Sequence, residues 1–289
     1  MSEPFLAIDW GTTNRRVYLI DNGQVLHTDR DDAGALRVTD FAGEMAMLRA
    51  RFGDYPAIMA GMVGSDVGWQ KVPYVAAPAG LDELAAALTY IDDRTAIVPG
   101  LSLSGTSAAR CDIMRGEEVQ LLGAVSAEFV PADGILCQPG THCKWAWMTG
   151  GKITSFVTAM TGELYGLIGA HSLLAPSIQT GAENLAAFRE GVAQGSQRDL
   201  AATLFSIRSG IMLGHRKPSD AASFASGVLI GADVAARLAE IGARQIYILA
   251  DEHMGHLYAN AIDVLGGTAE RIDSHAAFVA GITAIWNKR

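Results

Sequence analysis

The chain begins a strand series twice. Residues 5–8, 16–20 and 24–28 are rich in Val, Ile, Leu, Phe and Tyr, which suit a half-buried pleated surface. A second series opens at "GILCQ" (134–138) and continues through "CKWAWM" (143–148) and "ITSFVTAM" (153–160). After the first series, strands at 57–59 and 96–98 alternate with helical stretches at 44–51 and 81–91. After the second, helices are predicted at 161–170, 182–194, 197–208, 220–241, 254–265 and 275–287, with a strand at 245–250. Strand runs followed by alternating helices and strands predict an α/β fold with mixed sheets. The length of 289 residues favours two domains. The boundary falls near "EFVPADG" (128–134), where Pro131 and Gly134 end a helix and start a strand, giving domains 1–131 and 132–289.

Composition narrows the partner. Against 31 acidic residues the chain has 22 Lys and Arg, a net charge of −9, which argues against general affinity for nucleic acid or anionic lipid. A small molecule is the expected ligand, and local Arg or Lys residues still allow it to be an anion. Three cysteines without C-x-x-C spacing indicate neither a disulfide framework nor a zinc knuckle. The N-terminus has no signal-peptide pattern and no uninterrupted apolar run reaches membrane-spanning length, so the expected setting is cytoplasmic. Walker A, dinucleotide-binding and nucleophile-elbow motifs are absent from the sequence.

The turn "DWGTTN" (9–14) is more polar than a hairpin needs. Gly11 lets backbone N–H groups approach a ligand, and Thr12 and Thr13 add hydroxyl donors suited to phosphate oxygens. Asp9 can hold a hydrated Mg²⁺ beside them. An ordinary capped hairpin would also satisfy the turn taken alone.

The segments "AIDWGTTNRR" (7–16), "MAGMVGSDVGWQ" (59–70), "MRGEEVQLLGA" (114–124), "PGTHCKW" (139–145) and "MTGELY" (160–165) decide between these readings. Together they resemble the 2-dehydro-3-deoxygalactonokinase family, within the sugar kinase and actin superfamily, from about residue 5 to about residue 286. The resemblance implies two ribonuclease H-like (actin-like ATPase) domains, each a mixed sheet flanked by helices, with an interdomain cleft. It implies ATP and Mg²⁺ as cofactors, and phosphorylation of the 6-hydroxyl of 2-dehydro-3-deoxy-D-galactonate in galactonate breakdown. The alternatives are a kinase for the gluconate-derived epimer and a non-catalytic nucleotide- or sugar-binding regulator.

By the same resemblance, "DWGTT" is the first phosphate loop and Gly140, Thr141 and His142 belong to the second. Relatives often start the second loop with Asp, whereas Pro139 stands here, which leaves more of the metal work to Asp9. After the strand "IYILA" the superfamily usually has glycine where the backbone passes the adenosine, but this chain has Ala250 and Asp251. Base selectivity stays open on that account.

Transfer to a hydroxyl needs a proton acceptor and stabilisation of the spreading charge. Glu117 or Glu118, with Glu117 preferred, heads a helical run at the junction where related kinases place their catalytic acid, although first-turn glutamates also suit a helix dipole. Lys144 is expected to neutralise phosphoryl charge, and His142 to donate to a phosphate or position the loop. Arg16 and Arg115 are candidates for the substrate carboxylate. Ser65 and Asp66 are candidates for sugar hydroxyls, and Glu118 and Glu163 for further substrate contacts. Cys143 is expected to be a packing residue. His253 and His256 lack metalloprotease spacing and read as solvent-facing.

Overall fold

The structure is a computed structural model that describes residues 3–105, 111–178, 184–197, 199–242 and 245–289. Strands β1 (Phe5–Trp10), β2 (Arg15–Asp21) and β3 (Gln24–Asp31) form an antiparallel meander. There follow α1 (Phe41–Phe52), β4 (Ala57–Gly61), β5 (Val75–Ala76), α2 (Leu81–Ala86), β6 (Thr89–Asp92), β7 (Thr95–Ile97), β8 (Leu101–Leu103), β9 (Asp112–Met114) and α3 (Glu117–Ser126). The second series is β10 (Gly134–Gln138), β11 (Cys143–Thr149) and β12 (Lys152–Ala159). It continues with α4 (Thr161–His171), α5 (Leu185–Gly195), α6 (Leu200–Met212), α7 (Ala221–Ile241), β13 (Gln245–Ala250), α8 (Glu252–Val264), β14 (Thr268–Asp273) and α9 (Ser274–Lys288).

The fold is mixed α/β with mixed sheets. One sheet has the order β3-β2-β1-β4-β7-β6, another β12-β11-β10-β13-β14, and β5, β8 and β9 make a small third. Within the first, β1 pairs parallel with β4 and antiparallel with β2. In the second, β10 pairs parallel with β13. Two compact units emerge: residues 1–134, 146–157 and 273–289 in one, and 135–145 and 158–272 in the other. This division differs from the domain limits expected at 131/132, because 146–157 and the C-terminal helix α9 group with the first unit. There α9 packs on β1 and β2, with Trp286 stacked on Phe5 at 4.4 Å and Phe278 against Tyr18 at 5.5 Å.

The first unit's core lies around Leu6, Ile8 and Trp10 of β1 and Phe41, Met45 and Leu48 of α1. In the second unit, Phe224, Ala225 and Val228 of α7 pack with Ile207 of α6 and with Leu174 and Ile178. Among the described residues one helix, Pro218–Ile241, is apolar and long enough to cross a bilayer, but 67% of its most apolar stretch is buried within protein.

The helix expected over 81–91 ends at Ala86, because Thr89–Asp92 pairs with β7 as an antiparallel hairpin. Asp92 closes that hairpin by accepting from the Arg94 N–H at 2.7 Å. Strands β5, β8, β9 and β14 were not predicted. Residues 182 and 183 of the helix expected over 182–194, and residue 198 of that expected over 197–208, lie outside the described residues.

Candidate active site

In the first unit, the antiparallel register sets Asp9 opposite Arg16 and Trp10 opposite Arg15. The turn between them is braced through its carbonyls: Ala35 and Leu36 donate to Gly11 and Thr12 at 2.9 and 3.2 Å. Thr12 and Thr13 remain exposed. Arg15 is buried against Trp10 and bridges Asp31 and Glu44 at 2.7 and 2.9 Å, so it serves the scaffold. Arg16 instead reaches within 3.8 Å of the Asp9 carboxylate. Burial pushes the Asp9 carboxyl up to about 6; Arg16 opposes that shift and Glu117 adds to it.

A contact of backbones brings Glu117 near Asp9. Gly61, at the end of β4, has φ +97°, and a Cβ there would lie 2.7 Å from the Trp10 carbonyl oxygen. Gly116, before α3, has φ +104°, and its Cβ would lie 3.1 Å from the Gly61 Cα. Side chains at either position would separate β1, β4 and the start of α3.

Glu117 Oε2 accepts from the Arg115 backbone N–H at 3.1 Å. Glu118 is fully buried and both its oxygens lie 2.8 Å from the Gly116 N–H. Burial, then the neighbouring Glu117 charge, raise Glu118 to about 8. The Arg115 guanidinium lies 4.4 Å over the Tyr74 ring and donates through Nη2 to the Val72 carbonyl at 2.7 Å. Its Nε and Nη1 are buried without a hydrogen-bond partner, a costly state for charged donors. The Ser65 hydroxyl donates to the Met62 carbonyl at 2.7 Å and so closes its own turn. Asp66 is 75% exposed and pairs with Lys71 at 2.6 Å, apart from the buried cluster.

In the second unit, the 139–142 loop joins β10 to β11 and carries the start of α4. A Cβ at Gly162 would sit 2.4 Å from the Gly140 carbonyl oxygen, so only glycine allows this approach. The Glu163 N–H donates to the Thr141 carbonyl at 2.9 Å, and His142 Nε2 lies 2.5 Å from Glu163 Oε2. No side chain caps the α4 N-terminus, which leaves first-turn N–H groups suited to an anion. Lys144 is 4% exposed, and its Nζ donates to Thr158 Oγ1 at 2.9 Å. Cys143 is buried with its sulfur 3.7 Å from that of Cys137, in keeping with a packing role.

Beside this loop the same unit has a cavity of about 280 Å³ between three helices. Its walls include Gly162 and Tyr165 of α4, Ser226 and Leu229 of α7, and His253 and Leu257 of α8. Behind it, Asp233 Oδ2 takes hydrogen bonds from Trp145 Nε1, Tyr258 OH and Thr161 Oγ1 at 3.1, 3.2 and 3.4 Å. Burial raises the Asp233 carboxyl above its ordinary value. Sequence reasoning missed this cluster. The available signal was a lone acid in the apolar run "FASGVLIGADVAARL" (224–238).

The fold recurs in the activator of 2-hydroxyisocaproyl-CoA dehydratase from Clostridium difficile, solved with bound ADPNP. That chain is 11% identical, with a TM-score of 0.54, and the match covers 99% of this chain and 96% of that one. The likeness is one of fold alone. Sequence gives the narrower class: the model of the 2-keto-3-deoxy-galactonokinase family matches residues 9–285, and the chain belongs to that family. It is similar to the 2-dehydro-3-deoxygalactonokinase of Escherichia coli (strain K12), at 33% identity over 292 residues, covering 99% of this chain and 98% of the relative. A crystal structure of a Sinorhizobium meliloti protein given the same kinase name is 32% identical, with a TM-score of 0.89 over 97% of each chain.

Proposed function

We propose that this chain transfers the γ-phosphoryl group of ATP to the 6-hydroxyl of 2-dehydro-3-deoxy-D-galactonate, a step of galactonate breakdown. The observation that carries the reading is the backbone contact through Gly61 and Gly116 that brings the start of α3, with Glu117, to the end of β1 that carries Asp9, in a chain that matches the kinase family from residue 9 to residue 285. The family's own substrate favours the galactonate-derived acid over its gluconate-derived epimer and over a non-catalytic regulator.

In this reading Glu117 takes the proton of the attacking hydroxyl, and the Arg115 Nε and Nη1 donors, which lack a partner, read the substrate carboxylate with Arg16 beside them. Ser65, Asp66 and Glu163 remain candidates for the sugar-acid side, although Ser65 and Asp66 already have partners of their own. The buried Glu118 holds the start of α3 and so positions Glu117. Gly11, Thr12 and Thr13 form the first phosphate loop, and Gly140, Thr141 and His142 the second. Lys144, buried against Thr158, supplies positive charge behind the second loop. The cavity between α4, α7 and α8 takes the base.

Asp9 suits Mg²⁺: a carboxylate beside the polar Gly11–Thr13 turn fits an ion that keeps most of its waters and takes one or two carboxylates from the protein. Bound there, it would neutralise charge on the polyphosphate. The ribonuclease H-like form of the two domains and the interdomain cleft belong to this proposal and rest on the family likeness. So does a cytoplasmic setting with a small-molecule partner and neither nucleic acid nor membrane, which the charge of −9 supports.

An ADP-release assay tests the reading. ADP should form with 2-dehydro-3-deoxy-D-galactonate at a kcat/KM at least tenfold above that with the gluconate-derived epimer. Equal rates, or rates no higher than without acceptor, would sink it.

A further inference from the structure

The base cavity is walled by helices. Every lining residue belongs to α4, α7 or α8. Beyond the first turn of a helix, backbone N–H and C=O groups are bonded to one another and cannot read the edge of a base. In the first turn of α8 the Met254 N–H is taken by Asp251 Oδ1 at 2.8 Å, in that of α4 the Glu163 N–H by the Thr141 carbonyl at 2.9 Å, and the uncapped α4 N–H groups that remain suit the polyphosphate. Discrimination would therefore fall to side chains, and most of those are engaged. Thr161 and Tyr258 donate their hydroxyls to Asp233 at 3.4 and 3.2 Å, and Tyr165 donates to the Ala222 carbonyl at 3.4 Å. Ser226 and His253 are left to face a largely apolar cavity with Leu229, Ile230, Met254 and Leu257 around them. The volume of about 280 Å³ is at the small end of ligand pockets and suits a ring system more than a whole nucleotide.

We infer that the donor site holds its nucleotide by the polyphosphate and by apolar contact with the base, so that GTP and ITP serve as phosphoryl donors alongside ATP. This rests on the proposed function, whose donor site it describes. Sites built to hydrogen-bond a substrate group reject analogues lacking it by factors of about 10⁴ or more, whereas apolar pockets separate similar shapes by about 10²-fold or less. Adenine, guanine and hypoxanthine share one ring shape and differ in polar edges that this wall does not pair. The transfer is the same for each donor: the acceptor oxygen bonds to the γ-phosphorus, the bond to the β–γ bridging oxygen breaks, the nucleoside diphosphate leaves, and the hydroxyl proton passes to Glu117.

Binding and turnover separate this inference from the kinase reading. Calorimetry with ADP, GDP and IDP should give Kd values within about tenfold of one another, even if no sugar acid is turned over. In that last case the substrate reading fails alone. ADP binding with GDP and IDP each weaker by 100-fold or more would overturn the inference, and so would tripolyphosphate binding as tightly as ADP, since the base would then add nothing. Failure of every nucleotide to bind overturns both. Ser226→Ala and His253→Ala should leave the ADP:GDP affinity ratio within threefold of wild type. A tenfold change in either would show that the side chain reads the base, which overturns the inference. Turnover should follow binding, with kcat/KM for GTP and ITP within about tenfold of that for ATP.

Discussion

Glu118 is an acid that its surroundings keep protonated. Its value rises from an ordinary 4.5 to about 8, chiefly by burial, so the folded state holds the proton more tightly than the unfolded chain does. The associated stability is fully present below about pH 4.5 and is lost as pH rises through about 8, with a size on the order of a few kcal/mol. Glu118→Gln keeps an oxygen for the Gly116 N–H and removes the titration. Thermal unfolding from pH 5 to 9 should show Tm falling with pH in the wild type and a flatter profile in the variant, which becomes the more stable protein at pH 9. Identical slopes would show that Glu118 does not carry the effect. Arg115 makes a second prediction at this scale. Lysine cannot reproduce a forked contact, so Arg115→Lys should raise KM for the sugar acid about tenfold, equivalent to about 1.4 kcal/mol, with the nucleotide KM unchanged. A KM equal to wild type would assign the carboxylate to another group.

Elements whose chemistry is local could be read from sequence, and those made by distant partners could not. The "DWGTTN" turn shows its polarity in its own residues, and β1 and β2 flank it at nearly the expected limits. The stretch 81–91 has helical composition throughout, yet Thr89–Asp92 leaves the helix because β7 offers a partner. Lys144 is buried, with Thr158 of the neighbouring strand accepting from it at 2.9 Å, a placement that its own segment does not reveal. The cluster around Asp233 joins residues as much as 88 positions apart, a separation that no local pattern reveals. A prediction belongs to the contact between α4 and the 139–142 loop. Gly162→Ala would drive a methyl group against the Gly140 carbonyl, 2.4 Å away. Displacing that loop should raise the nucleotide KM at least fivefold while the sugar-acid KM stays within twofold. Equal effects on both would mean that the loop does not belong to the donor site.

Across the whole molecule, the account gives the two ligands separate footprints. The acceptor groups Arg16, Arg115 and Glu117 belong to one compact unit together with the first phosphate loop, and the 139–142 loop, the start of α4 and the base cavity to the other. Hydrogen exchange should therefore slow in 11–13, 139–142, 160–165 and 252–258 when ADP is added, and in 62–66 and 115–118 when the sugar acid is added. Protection of one common set by both ligands would contradict that assignment. The central claim is transfer to the 6-hydroxyl, and the position of the phosphate in the product tests it most directly. Phosphorus–proton correlation NMR of a reaction containing ATP, Mg²⁺ and 2-dehydro-3-deoxy-D-galactonate should show a phosphomonoester coupled to the C6 methylene protons, in amounts equal to the ADP formed. Phosphate on another carbon, or inorganic phosphate alone, would contradict the account.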